Sequence, residues 1–303
     1  MKKSKENNKK AQGIQVAIVY FSPSGSAKKV AEAYQKEFHT LGSKCQMLPL
    51  ARSKEVFDKN DASAFWKQLE PCDLLLVGGP IYIKHMQYHL LDLIYEAPFA
   101  NTNGIKNYAA VFSTFGKVSS GVGLAETARI LSRKGYSVIS GLDVDSLHSA
   151  TRLLAEPVSQ GLPGAELDAW IKTSVKSMLD TVQKRKKGSL DLILSQSYDD
   201  FPELKDEKSV LASYPTVTFD ETKCIACGRC VKSCPTLDLT LDASIPTHRE
   251  ESHCIHCTNC LVVCPEDAVI LPLENRSKLV LGLLKKQRLE PSSPSRTKLY
   301  LLG

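Results

Sequence analysis

Two stretches of this chain repeat one another thirty residues apart. Cys224, Cys227, Cys230 and Cys234, followed by Pro235, read C-x2-C-x2-C-x3-C-P, and Cys254, Cys257, Cys260 and Cys264, followed by Pro265, read the same. Three thiolates two residues apart let a short loop curl around one four-iron cubane and bind three of its irons. The fourth cysteine sits on a helical turn leading away and can reach a second cubane, and the proline after it stops that turn. Zinc sites also use C-x2-C pairs. Zinc needs only four ligands, however, and explains neither the third cysteine of each triplet nor the repeated Cys-Pro. The spacing predicts two [4Fe-4S] clusters held by these eight cysteines.

Of the ten cysteines, only Cys45 and Cys72 stand outside the motifs. Each begins an apolar run, so both are expected to be packed and reduced. The first ten residues are basic and Asn-rich with no apolar segment behind them, unlike a secretory signal. No run approaches the ~18 apolar residues of a membrane span. These features read as a chain of the reducing cytoplasm. The net charge is +6 and unevenly spread. Nine carboxylates face four Lys and Arg across 218–275, whereas seven Lys and Arg face Glu290 alone across 276–303. An acidic cluster segment suits a basic redox partner. The basic tail lacks interleaved aromatics, so it reads as solvated rather than as a nucleic-acid surface. Within it, Leu279, Val280, Leu283 and Leu284 predict a short amphipathic helix docked on the protein itself, since one such helix binds lipid weakly without a second anchor.

Residues 1–12 are expected to form a disordered leader, and 13–187 an α/β domain. Gln15–Phe21 is a buried strand; Ser22-Pro23-Ser24-Gly25-Ser26-Ala27 follows, and then a helix to about Leu41 with Ala27, Val30, Ala31, Tyr34, Phe38 and Leu41 on one face. A hydroxyl-rich turn between strand and helix is a candidate anion site, although ordinary turns also use Ser and Gly there. Further strands are expected at Cys45–Leu50, Asp73–Val77, Tyr108–Ser113 and Tyr136–Ile139. Helices are expected around Ala62–Leu69, where Trp66 packs, and at His85–Tyr95, Gly123–Lys134 and Gly164–Lys186. Such alternation means a parallel sheet covered on both faces. Residues 188–216 read as a connector draped over one domain, 217–275 as the cluster domain and 276–303 as the tail.

The first ~187 residues resemble the flavodoxin fold, a five-stranded doubly wound sheet. With the cysteine motifs, nearly the whole chain resembles the EFR1-type flavodoxin–ferredoxin fusions of anaerobic microbes, whose second domain is a small α+β two-cluster ferredoxin. Their phosphate loop F-S-P-T-G-T-T-K-K appears as Phe21 to Lys29, with Ala27 in place of a hydroxyl residue. Their G-x-P-V-Y loop appears as Gly78-Gly79-Pro80-Ile81-Tyr82, their Y-G as Phe115-Gly116, and their Glu-His-Ser as Leu147-His148-Ser149. The chain departs from them at Ile83-Lys84-His85, at Lys117-Val118 and at Leu147. The resemblance implies FMN bound by Ser22, Ser24, Gly25, Ser26, Ala27, Pro80, Ile81, Tyr82, Ser113, Thr114, Phe115 and Gly116. By the two-cluster pattern the fourth cysteine of each run serves the other cluster. One set is then Cys224, Cys227, Cys230 and Cys264, and the other Cys254, Cys257, Cys260 and Cys234. His253 and His256 are expected to be surface groups or supports of the cysteines, and His148 a hydrogen-bonded loop residue or a flavin neighbour.

FMN takes two electrons and each cluster one, so the expected function is electron transfer to redox partner proteins, with no catalytic residue required. The alternative is a flavin-dependent reductase of a quinone, nitro compound or disulfide. No G-x-G-x-x-G follows a strand to mark a pyridine-nucleotide domain.

Overall fold

The structure, a computed structural model, describes residues 13–201, 203–241 and 244–302; the expected leader lies outside the described residues. The chain opens with β1 (Gln15–Tyr20), α1 (Ser26–Thr40) and β2 (Lys44–Pro49), then the short helices α2 (Lys54–Phe57) and α3 (Ala62–Trp66). Next come β3 (Leu74–Tyr82), the two-residue β4 (His85–Met86), α4 (Tyr88–Tyr95), β5 (Tyr108–Phe115), α5 (Gly123–Arg133), β6 (Ser137–Asp145) and α6 (Glu166–Gln183). Five of these strands are parallel in the order β2-β1-β3-β5-β6. In sequence rank that is 2-1-3-4-5, the flavodoxin-like doubly wound order. Successive side chains of β1 point to opposite faces. Ala17 and Val19 join one core with α4 and α5, and Val16, Ile18 and Tyr20 join the other with α1 and α6. Helix α1 buries Ala27, Val30, Ala31, Tyr34 and Phe38 as its periodicity predicts, but Leu41, expected on the same face, is the C-cap where the helix ends and is exposed.

Trp66 is buried, and its indole N–H donates to the Leu93 carbonyl at 2.8 Å. Cys45 is half-buried and Cys72 buried, both as free thiols; burial pushes each up to about 12.

Three strands run further than expected, β5 by the two residues Thr114 and Phe115. β3 continues through Gly78–Tyr82, where β4 folds back on it, so α4 begins at Tyr88 rather than His85. β6 continues through Ser140–Asp145. Its polar side chains there are satisfied from neighbouring elements: Ser140 bonds Ser174 at 2.8 Å, and Asp143 accepts from Ser113 at 2.5 Å.

The connector lies over the first domain through α7 (Asp191–Leu194) and α8 (Glu207–Ala212), with Ile193 and Leu211 in its core. The cluster domain follows as β7 (Thr218–Phe219), α9 (Arg229–Ser233), β8 (Leu239–Thr240), β9 (Thr247–His248), α10 (Asn259–Val263) and β10 (Val269–Ile270). β7 pairs with β10, and β8 with β9, both antiparallel.

The basic tail, expected to be solvated apart from one docked amphipathic helix, returns to the first domain through that helix and a further strand. α11 (Glu274–Lys286) buries Val280 and Leu284 against Val158, while Leu279 is exposed. β11 (Lys298–Leu301) then pairs antiparallel with β6, Lys298 opposite Asp143 and Leu301 opposite Ser140. The chain's last strand is thus an edge strand of its first domain, and the cluster domain is tethered at both ends.

Candidate flavin and iron–sulfur sites

The two cysteine runs adopt one backbone shape twice. Ala226 and His256 have φ of 52° and 53°, and Gly228 and Thr258 have 66° and 67°. Each left-handed residue turns the chain into a five-residue helix, α9 or α10, that ends at the fourth cysteine. These helices project Cys234 and Cys264 across the duplicated unit. Cys234 lines one cavity with Cys254, Cys257 and Cys260. Cys264 lines the other with Cys224, Cys227 and Cys230. Among the described residues, no three His, Cys, Asp or Glu side chains are drawn together tightly enough for a single ion. Each set of four cysteines lines a cavity of its own, a grouping compatible with a multi-iron cluster. Burial pushes Cys254 up to about 12 and Cys257 up to about 11.

In the first domain, a cleft opens at the carboxyl ends of β1, β3, β5 and β6. Ser24, Ser26, Pro80, Ile81, Tyr82, Thr114, Phe115 and Gly116 line it, all of them expected binding residues. Gly25 is the left-handed N-cap of α1, at φ 97°. The helix starts without a side-chain cap, and Ser22 Oγ accepts the Lys28 amide at 2.8 Å. The amides of Ser26 and Ala27 find no acceptor among the described residues, leaving two donors at the positive end of the helix, where an anion could sit.

Three expected residues are turned elsewhere: Ser22 does not line the cleft, its hydroxyl being taken by the Lys28 amide. The Ala27 side chain lies in the core, and the Ser113 hydroxyl is committed to Asp143. Ser146 also lines the cleft, as do Leu147, His148 and Ser149. Ser146 was missed; its signal is its place at the carboxyl end of the last parallel strand.

The His148 ring lies against Gly116, where a Cβ would come within 2.4 Å of it. Its Nδ1 accepts the Ala150 amide at 3.2 Å, which places the proton of the neutral ring on Nε2. Burial, followed by the nearby Arg276 charge, pushes His148 down to about 4. The Tyr82 hydroxyl is buried with no hydrogen-bond partner among the described residues, a polar atom at the cleft still lacking one. Uncommitted amides, serine hydroxyls and this phenol fit a phosphorylated, polar-rimmed ligand.

At the departures from the family pattern, Lys117 is fully buried and paired with Asp145 at 3.0 Å. Its ammonium also donates to the carbonyls of Ser293 and Pro294. Arg296 donates to the carbonyls of Lys117 and Val118. The returning C-terminal segment therefore fixes the loop after Gly116. His85 bonds Glu126 at 2.6 Å and the Lys205 carbonyl at 3.0 Å, tying the connector to the loop after Tyr82.

The second cysteine run faces this cleft. Thr258 Oγ1, which lies 2.6 Å from the Cys257 carbonyl, also reaches the Ser149 carbonyl at 3.3 Å. The Asn259 side-chain amide donates to the Pro23 carbonyl, and its oxygen accepts from Arg152 at 2.9 Å. Ile255 and Cys257 share a core with Tyr82. Arg52 donates to the carbonyls of Val231 and Cys234 at the end of α9. Neither histidine of the run is a simple surface group. His256 is buried, its ring edge-on to Tyr214, and the His253 ring lies 5.8 Å from that of His89.

A family model described as a 4Fe-4S dicluster domain matches residues 216–275, the segment carrying both quartets. No curated protein matches the chain in sequence. Among solved structures, it is similar to rubredoxin oxygen:oxidoreductase from Desulfovibrio gigas at 16% identity and TM-score 0.42, covering 56% of this chain and 36% of that one. A flavodoxin from the domain Archaea matches at 16% identity and TM-score 0.39, covering 56% and 99%. An NADH:FMN oxidoreductase in its apo form matches at 15% and 0.40, covering 55% and 89%. The chain spans only about a third of the Desulfovibrio gigas protein. Likenesses this distant carry no functional argument; the strand order itself makes the first domain flavodoxin-like. The chain joins a flavodoxin-like domain to a ferredoxin-type domain of the 4Fe-4S dicluster kind. Among the described residues, no helix is long and apolar enough to cross a membrane.

Proposed function

We propose that this chain is an iron–sulfur flavoprotein that carries electrons between an FMN on its first domain and two [4Fe-4S] clusters on its second, and on to protein partners. The observation that carries the reading is the seating of the second cysteine run on the cleft, through Thr258 to Ser149 and Asn259 to Pro23. The amides of Ser26 and Ala27, with the hydroxyls of Ser24 and Ser26, would hold the phosphate. The loops of Pro80–Tyr82 and Thr114–Gly116 would flank the ring, with His148 Nε2–H as a donor. Cys254, Cys257, Cys260 and Cys234 would hold the inner cluster, and Cys224, Cys227, Cys230 and Cys264 the outer one. Bound FMN would supply two-electron chemistry and each cluster one-electron chemistry, so the chain would couple carriers of the two kinds. The protein's own part is to fix the distance between centres and keep water off the inner one.

The test is to load the protein without oxygen and follow the flavin absorbance on mixing with reduced ferredoxin, NADH or NADPH. Reduction by ferredoxin and not by the nucleotides is expected. Rapid reduction by a nucleotide, with turnover of a quinone, nitro compound or disulfide, would replace this reading with the reductase one.

A further inference from the structure

The two quartets differ in what surrounds them. The Cys257 run is built into the core of the first domain, whereas the Cys224 run faces solvent. Cys227 is exposed, and Ile225, Val262 and Ile270 keep 61%, 49% and 50% of their surface in water. An open groove runs between α9 and α10, lined by Arg229, Lys232, Ser233, Val262, Val263, Cys264 and Pro265. Arg229, Cys264 and Pro265 also line the cavity of the outer quartet, so whatever occupies the groove is one side chain away from that cavity.

The charge in the groove is opposite to that of its domain. Between 218 and 275 stand nine carboxylates and four cations. Two of the cations are engaged, Lys223 with Asp220 at 3.9 Å and Arg249 with Asp58 at 2.6 Å. The other two, Arg229 and Lys232, are exposed, and their side chains have no hydrogen-bond or ion-pair partner among the described residues. Both point to the groove. Glu266 and Asp267 follow Pro265 but do not line it. A pair of free cations flanking exposed Val262 is a complementary surface for carboxylates around an apolar contact.

We propose that this groove is the docking surface of an acidic one-electron carrier protein, which exchanges electrons with the outer cluster past Cys264. The proposal rests on the electron-transfer reading and adds the class of partner, acidic rather than the basic one that the composition of the domain implies. In the exchange the reduced carrier loses one electron and the cluster gains it; no bond or proton moves.

The probe is an acidic plant-type [2Fe-2S] ferredoxin, used in two arms on the holoprotein. In the first, binding of its redox-inert gallium-substituted form is measured by fluorescence anisotropy at low ionic strength. Arg229→Glu and Lys232→Glu are each expected to weaken binding about tenfold, Lys232→Gln less, and the double reversal to abolish the salt dependence. In the second, the rate of reduction by reduced ferredoxin should fall in parallel, while reduction by dithionite is unchanged. Equal or tighter binding by the charge-reversed variants overturns the proposal, as does tighter binding of basic cytochrome c than of ferredoxin to the native protein. If the loaded protein shows no iron or flavin signal that dithionite can bleach, the electron-transfer reading fails. Normal cofactors with unaltered ferredoxin binding overturn the docking surface alone.

Discussion

The side-chain amide of Asn259 donates to the carbonyl oxygen of Pro23, so a residue within the second cysteine run is bonded to the loop that starts α1. The same amide donates to the Ser233 carbonyl at 3.3 Å, and its oxygen accepts from Arg152. One side chain therefore joins both cysteine runs to two loops of the flavodoxin-like domain.

Replacing Asn259 with Leu keeps the volume and removes these bonds. A net hydrogen bond is worth about 1 kcal/mol, so FMN affinity should fall about fivefold, with faster amide exchange at 22–27. Calorimetric titration of the apoprotein checks this; unchanged affinity and exchange would show that the two sites are not linked through Asn259.

Gly25 separates strain from charge. Nothing lies within 4 Å of a Cβ built there, but φ is 97°. Gly25→Ala should therefore cost about 1 kcal/mol of stability through backbone strain alone, with FMN binding retained. Gly25→Asp adds a carboxylate at the anion site and should weaken FMN by at least about a hundredfold. FMN titration of both variants decides, and equal affinities would move the phosphate elsewhere.

The buried Lys117–Asp145 pair predicts an asymmetry. Without Lys117, Asp145 keeps three donors: the Lys117 amide, Ser159 Oγ and the Arg296 amide. Without Asp145, the Lys117 ammonium keeps only the Ser293 and Pro294 carbonyls, and no opposing charge. Asp145→Ala should cost roughly 3–5 kcal/mol and Lys117→Met clearly less. Urea unfolding of the two variants tests this, and the reverse order would contradict it.

Glu207 predicts a pH dependence. It is buried, and neither carboxyl oxygen has a hydrogen-bond partner among the described residues. Burial pushes it up to about 9, opposed by the nearby Tyr88 amide, whose approach is too loose for a full hydrogen bond, and reinforced by Glu126 and Asp206. Its ordinary value is 4.5. A carboxyl raised on folding binds its proton more tightly in the native state, so it subtracts stability as pH rises from about 4.5 toward 9. Glu207→Gln removes that cost. It should stabilise the protein by about 3 kcal/mol at pH 7, and the gain should shrink toward pH 5. Thermal unfolding at both pH values checks it; a gain independent of pH would mean that the carboxyl does not titrate as described.

Part of this was legible in the sequence, for a physical reason. Cysteine spacing is local, so the two runs could be picked out from the sequence, and the structure places Cys234 and Cys264 each in a cavity with the other run's triplet. Ser24, Gly25 and Ser26 could be read because a turn into a helix needs them locally. The polar end of β6 could not, since Ser140, Asp143 and Asp145 are satisfied by Ser174, Ser113 and Lys117, partners far off in sequence. For the same reason Ser113 looked free to bind a ligand. β11 is four residues whose only warrant is an open sheet edge about 150 residues earlier, and nothing in Lys298–Leu301 announces it. Asn259 is one polar residue between two ligands, and only the fold shows what it reaches.

The most direct test of the central claim is the iron, sulfide and flavin content of the chain isolated without oxygen. Two four-iron clusters beside one flavin require about eight iron, eight sulfide and one FMN per chain, with Cys234→Ser and Cys257→Ser disturbing the same cluster signal. About four iron, zinc in place of iron, or no retained FMN would contradict it.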